Sequence, residues 1–204
     1  MYVERKVKAS VIKLLGPRAA QSLQLVAIGE QEPLLFFDDT YELHAFNTVS
    51  QDAVGKLPHS SMQVKCVLAA ETKLFVGLST GEIAMYDPYT LELLDKAATS
   101  RQAVPMAMTL QSAGTLLAGM QNSTIEVFSF QQSRLLPANH LNNEIKVPYA
   151  GEIYRVASSG DEIYLATFSG LFVGKLEVAA QGRPYQVWKQ RTIFLQEKMV
   201  SQML

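Results

Sequence analysis

Residues 64–97 read VKCVLAAETKLFVGLSTGEIAMYDPYTLELLDKA, and they set the pattern for the rest of the chain. Four short apolar segments, Val64–Ala69, Leu74–Leu78, Glu82–Tyr86 and Leu91–Lys96, are separated by polar turns. Segments this short and this closely spaced predict four strands in one antiparallel meander. Thr80-Gly81 supplies one tight turn. Asp87-Pro88-Tyr89-Thr90 supplies another, with proline at its second place, where the fixed φ of proline suits the turn. Ile83 and Met85 alternate with Ala84 and Tyr86, as the faces of a strand require. A single meander would leave a wide apolar face in water, so it needs neighbours.

The chain supplies them. Leu34-Leu35-Phe36-Phe37, Leu116-Leu117-Ala118-Gly119 and Ile163-Tyr164-Leu165-Ala166 resemble Leu74-Phe75-Val76-Gly77. The four copies start at residues 34, 74, 116 and 163, which is 40, 42 and 47 residues apart. Each precedes a turn and a further strand. This period is that of a repeated all-β unit, a propeller or another stacked β architecture. The repeats are expected over residues 22–58, 64–97, 104–137 and 152–190, within one all-β domain spanning 1–204. Strand-like pieces extend it at 2–15 and 191–200. Asp38-Asp39-Thr40 is expected to turn, and Ile163–Phe168 to form a strand ending at the Ser169-Gly170 turn. Residues 138–151 are long for a connection; they hold either a short strand at Glu144–Val147 or a functional loop.

Composition narrows the function classes. The chain has 204 residues, 48% of them apolar and 18% charged, with a formal net charge of -1. That is enough apolar content for a sizeable core, and it argues against a broad phosphate-binding surface. One cysteine, Cys66, rules out an internal disulfide framework and a cysteine-based metal cluster. Its apolar strand makes it a buried structural thiol. No apolar run reaches the roughly 18 residues that span a bilayer as a helix. Residues 1–13 mix charges with apolar residues, unlike the uninterrupted apolar core of a signal peptide. A cytoplasmic setting is expected, with the nucleus as the second choice.

The stretches LFVGLSTGEIAMYDPYTLELL (74–94), LLAGMQNSTIEVFSFQQSRLL (116–136) and EIYLATFSGLFVGKLEV (162–178) resemble the repeats of WD40-like and quinoprotein-like β-propellers. The resemblance covers most of residues 22–190. It implies a propeller, or part of one, built from four-stranded antiparallel blades. In such a blade Lys65–Ala69 would be innermost and Leu91–Lys96 outermost. It also implies a binding surface rather than catalysis. The repeats number about four, fewer than such propellers usually carry. That implies a compact ring, a fragment whose missing remainder completes the propeller, or a part completed by a partner protein or by another copy.

The chemistry-bearing residues fit no catalytic pattern. His44, His59 and His140 lie in different repeats or turns, without metal-ligand spacing. Ser100, Ser112 and Ser133 have no nucleophile-elbow context, and no phosphate-cradling glycine loop is present. No metal, cofactor or catalytic residue is expected. Lys6, Lys8, Lys13 and Arg18 form one modest basic cluster. Arg183, Lys189 and Arg191 form another, with Tyr185 and Trp188 beside it and Lys146 with Tyr149 elsewhere. Aromatic rings near cations make contact surfaces. The leading expectation is therefore a non-catalytic protein-interaction scaffold in a larger assembly. Two others stand beside it: recognition of phosphate or nucleic acid by the basic terminal segments, and a propeller hydrolase or lyase.

Overall fold

A computed structural model describes residues 23–26, 34–39, 42–50, 52–57, 64–70, 72–112, 114–137, 144–147, 150–178 and 184–187. The described chain is mostly strand. It makes four antiparallel sheets, each from consecutive strands. The first holds β1 (Leu23–Val26), β2 (Leu34–Asp39), β3 (Glu42–Asn47) and β4 (Ala53–Lys56). The second holds β5 (Val64–Ala70), β6 (Lys73–Leu78), β7 (Glu82–Tyr86) and β8 (Leu93–Ala98). The third holds β9 (Pro105–Ser112), β10 (Thr115–Met120), β11 (Thr124–Gln131) and β12 (Arg134–Pro137), and adds β13 (Glu144–Lys146). The fourth holds β14 (Ile153–Ser159), β15 (Glu162–Thr167), β16 (Gly170–Val178) and β17 (Pro184–Val187).

The four sheets form a row. The first strand of each lies beside the first strand of the next, β1 with β5, β5 with β9 and β9 with β14. Three buried clusters fill the spaces between neighbours. Leu34, Phe36 and Leu43 meet Val67, Leu74 and Tyr86 between the first two sheets. Phe75, Ile83 and Met85 meet Leu116, Met120 and Phe128 between the second and third. Leu117, Ile125 and Val127 meet Ile153, Leu165 and Phe172 between the third and fourth. The two inner sheets are thus buried on both faces. This is why β6 and β10 read as unbroken apolar runs while β15 alternates.

The row does not close. Among the described residues no buried cluster joins the fourth sheet to the first, and no strand of one packs extensively on the other. The WD40-like or quinoprotein-like propeller expected from the repeats is therefore not the architecture of this chain, and the terms β-propeller and WD40-like repeat do not apply. The physical reason is that a period of about 40 residues reports a repeated sheet and its buried faces. It does not report the angle between successive sheets, on which closure depends.

Local expectations are corrected as well. Of the two readings of residues 138–151 the short strand is present, as β13 rather than through Val147; it gives the third sheet a fifth strand by pairing with the beginning of β11, Lys146 opposite Thr124, beyond the reach of β12. Asp38 and Asp39 lie in β2, in register with Leu43 and Glu42, rather than in a turn. β15 stops at Thr167, so Phe168 belongs to the turn. β8 begins at Leu93, because Leu91 adopts a left-handed φ of 59° and its N–H donates to the Asp87 carbonyl at 3.0 Å. Among the described residues the helical content is one 3-10 turn, Ser100–Gln102. The strand-like pieces at 2–15 and 191–200 lie outside the described residues.

Candidate interaction ridge

Each of the last three sheets has the same device at one end. A bulge in the first strand leaves Cys66, Ala107 and Arg155 in register with Gly77, Gly119 and Ala166. The hairpin that follows each of these small residues contains a left-handed residue: Gly81 at φ 76°, Ser123 at 66° and Gly170 at 126°. Gly81 is required twice over. A Cβ there would come within 2.5 Å of the Gln102 backbone.

Hydrogen bonds tie these hairpins into a ridge across the ends of the sheets. The Thr99 N–H donates to the Gly81 carbonyl at 2.9 Å. The buried Thr99 hydroxyl is 2.9 Å from that carbonyl oxygen and 2.7 Å from that of Ala103. The Ser100 N–H is shared by both carboxylate oxygens of Glu126, at 2.9 and 3.0 Å. Glu126 is 0% exposed, and a buried carboxylate is stable only when hydrogen bonds replace its water. These bonds hold Arg101 and Gln102 in left-handed conformations, φ 55° and 54°, with both side chains exposed. Next along the ridge, the Gln121 N–H donates to the Val104 carbonyl at 2.9 Å. The Gln121 side chain crosses to the fourth sheet, where its Nε2 donates to Glu152 Oε1 at 3.1 Å. Finally the Phe168 N–H donates to the Glu152 carbonyl at 3.0 Å, and the Ser169 N–H to the Ala150 carbonyl at 3.1 Å.

Phe168 ends this ridge in water. It is 77% exposed, the most exposed of the large apolar residues described. Its turn is fixed on both sides, since Thr167 Oγ1 accepts from the Ser169 N–H and donates to the Gly170 carbonyl. The edge strands carry smaller apolar exposures at Val54, Leu93 and Leu136.

Few of the residues singled out in the sequence are described. Lys146 is exposed on β13, between buried Ile145 and Val147. Tyr185 lies in β17 opposite Glu177. Lys6, Lys8, Lys13, Arg18, Tyr149, Arg183, Trp188, Lys189 and Arg191 lie outside the described residues, as do His59 and His140. His44 is half-buried in β3, opposite Phe37 and Lys56. Among the described residues no three His, Cys, Asp or Glu side chains gather as metal ligands, and no helix is long and apolar enough to cross a membrane. Sequence reasoning missed Phe168, Arg101 and Glu126. Only Phe168 left a trace, as an aromatic directly before Ser-Gly.

Among the described residues, Cys66 and Asp87 titrate away from their ordinary values. Burial pushes the Cys66 thiol up to about 12, against a small opposing pull from the Gly77 amide and the Arg155 charge. Partial burial of Asp87 disfavours its charge, but amide hydrogen bonds from Thr90 and Tyr89, the Thr90 hydroxyl and Lys73 together outweigh it and hold the carboxyl below its usual range.

No family model and no curated protein matches the chain. Among solved structures it is similar to the crystal structure of the computationally designed Ika4 protein, with 10% identity and a TM-score of 0.56 over 84% of this chain and 92% of that one. It is also similar to the computationally designed Ika8 protein, with 12% identity and a TM-score of 0.55 over 74% of this chain. The chain spans 46% of the length of that second design. At these identities the likeness is one of fold alone, and both of these structures are computational designs.

Proposed function

We propose that this chain is a non-catalytic protein-interaction scaffold and that Phe168 anchors its partner. The observation that carries this reading is an exposed aromatic ring on a turn already fixed by four hydrogen bonds. Burying a phenylalanine ring contributes about 1.5–3 kcal/mol. A turn that needs no further ordering keeps most of that gain for binding. Aromatic anchors ringed by polar groups are the usual energetic centres of protein interfaces. Exposed Gln121, whose side chain bonds Glu152 where that residue's carbonyl accepts from the Phe168 N–H, supplies polar surface beside it. Of the basic and aromatic set on which a phosphate or nucleic-acid reading would rest, the described residues offer one exposed side chain, Lys146. No described observation favours a hydrolase or lyase.

The test is photo-crosslinking in the native cell from a benzophenone side chain at position 168. The expected result is a discrete protein adduct, absent when the same probe replaces exposed Val49. Phe168→Ala should lose the partner while its thermal unfolding stays unchanged. Equal background labelling from both positions overturns the reading.

A further inference from the structure

The fourth sheet has one face that its neighbours do not. In the second sheet the rows Leu68–Phe75–Met85 and Cys66–Gly77–Ile83 face the third sheet. A Cβ at Gly77 would come within 2.9 Å of Pro105, the first residue of β9. In the third sheet the same rows pass through Leu117 and Gly119 and face the fourth. There a Cβ at Gly119 would lie 2.6 Å from both Ile153 and Val156. In each case a bulky residue followed two places later by a small one forms a seat for the next sheet. The fourth sheet repeats it in the rows Ala157–Tyr164–Val173 and Arg155–Ala166–Leu171. None of these six is buried. Phe168 follows directly, in the place of Gln121, whose side chain does reach across to the next sheet.

We propose that this seat is filled by the same seat of a second copy of the chain, in a two-fold dimer. Three observations choose this occupant. The face has the form of the two faces that a following sheet covers within the chain, so a sheet surface is the kind of occupant it fits. The other end of the row differs. Phe46 on β3, which adjoins Ala45 but lies outside the cluster shared with the second sheet, is only 4% exposed. A buried Phe46 at one end and six unburied residues at the other give the two ends different surfaces, and this favours a closed pair over a head-to-tail stack. Charge also fits. Glu162 shares the face of Tyr164 and Ala166, beside Lys175, and Arg155 lies at the opposite end. With the strands of the two copies antiparallel, each Arg155 sits opposite a Glu162 and the two Arg155 groups stay apart. This inference rests on the scaffold reading and names its partner.

Sedimentation of the full chain, from micromolar upward, should show a species of twice the chain mass. Ala166→Arg, which fills the seat with a charge, should leave single chains. Phe168→Glu, at an exposed turn, does the same should the first variant fail to fold. Arg155→Glu should raise the half-dimerisation concentration roughly tenfold, and adding Glu162→Arg should restore it. Single-chain mass for the unaltered protein at every concentration overturns the dimer, and so does association that none of these variants alters. A benzophenone at Tyr164 that crosslinks only to residues 1–22 or 188–204 of its own chain also overturns it. Crosslinking at Phe168 to a different protein would reject the dimer and leave the scaffold reading standing; no adduct at all would reject both.

Discussion

Two residues show how the repeated sheet constrains single positions. Cys66 stands in the first strand of the second sheet, and its Sγ is 3.4 Å from the Pro105 carbonyl oxygen of the third. The sequence shows it as a thiol in an apolar strand, and the structure adds the reason it stays protonated. Its pKa rises from 9.0 to about 12 on folding. The unfolded chain therefore releases this proton at lower pH than the folded chain. The associated stability is fully present below pH 9 and is lost progressively as pH climbs toward 12. At about 1.4 kcal/mol per pH unit the whole loss is about 4 kcal/mol. Denaturant titrations between these limits should show a shallower decline for Cys66→Ala than for the unaltered chain; equal slopes would place the thiol in water. Ser123 is the second case. It holds φ 66° where the equivalent turns use Gly81 and Gly170. A left-handed conformation costs an ordinary residue about 1–2 kcal/mol, part of which glycine gives back as unfolded-state entropy. Ser123→Gly should therefore stabilise the chain by about 0.5–1 kcal/mol in urea unfolding. A loss of stability would show that the Ser123 side chain makes a compensating contact.

At the scale of elements the sequence was legible where burial is periodic and silent where geometry is set by contact. Alternation in β7 and the short apolar runs of β6 and β10 locate the strands to within a residue or two. The turn chemistry of Asp87-Pro88 is also readable, and Asp87 Oδ1 accepts from the N–H groups of Tyr89 and Thr90 at 2.9 Å. The left-handed Leu91 that delays β8 carries no glycine to announce it. The interaction ridge was not legible for the same kind of reason. Its parts, Gly81, Thr99, Glu126, Gln121 and Phe168, come from three sheets. Glu126 looks in the sequence like an ordinary outward-facing charge of an alternating strand. Phe75 shows what the readable part is worth. It is 0% exposed and its ring meets Phe130 edge-on, centroids 4.9 Å apart. Phe75→Ala removes that contact and leaves a cavity between the second and third sheets. Equilibrium unfolding should report a loss of about 3–5 kcal/mol. A loss below about 1 kcal/mol would mean that the two sheets collapse onto the gap.

The molecule as a whole behaves according to which sheets are held from both sides. The second and third each share two buried clusters, while the first and fourth share one each among the described residues. Where units contact only their neighbours, stability is approximately a sum of unit and interface terms, so the ends open before the middle. This is also why the period of the sequence misled about the whole. A row and a closed ring have the same repeats and differ by one interface, whose presence no single repeat encodes. The consequence is measurable by native-state hydrogen exchange on the single-chain Ala166→Arg form, where no second copy protects the open face. The amides of β10 and β11 should exchange only through global unfolding. Those of β14 and β15 should exchange through a smaller opening, with weaker denaturant dependence, because separating the fourth sheet exposes one cluster and leaves two intact. If all four strands share one opening free energy and one denaturant slope, the fourth sheet is held from both sides. The open row would then be the wrong description of the folded chain in solution.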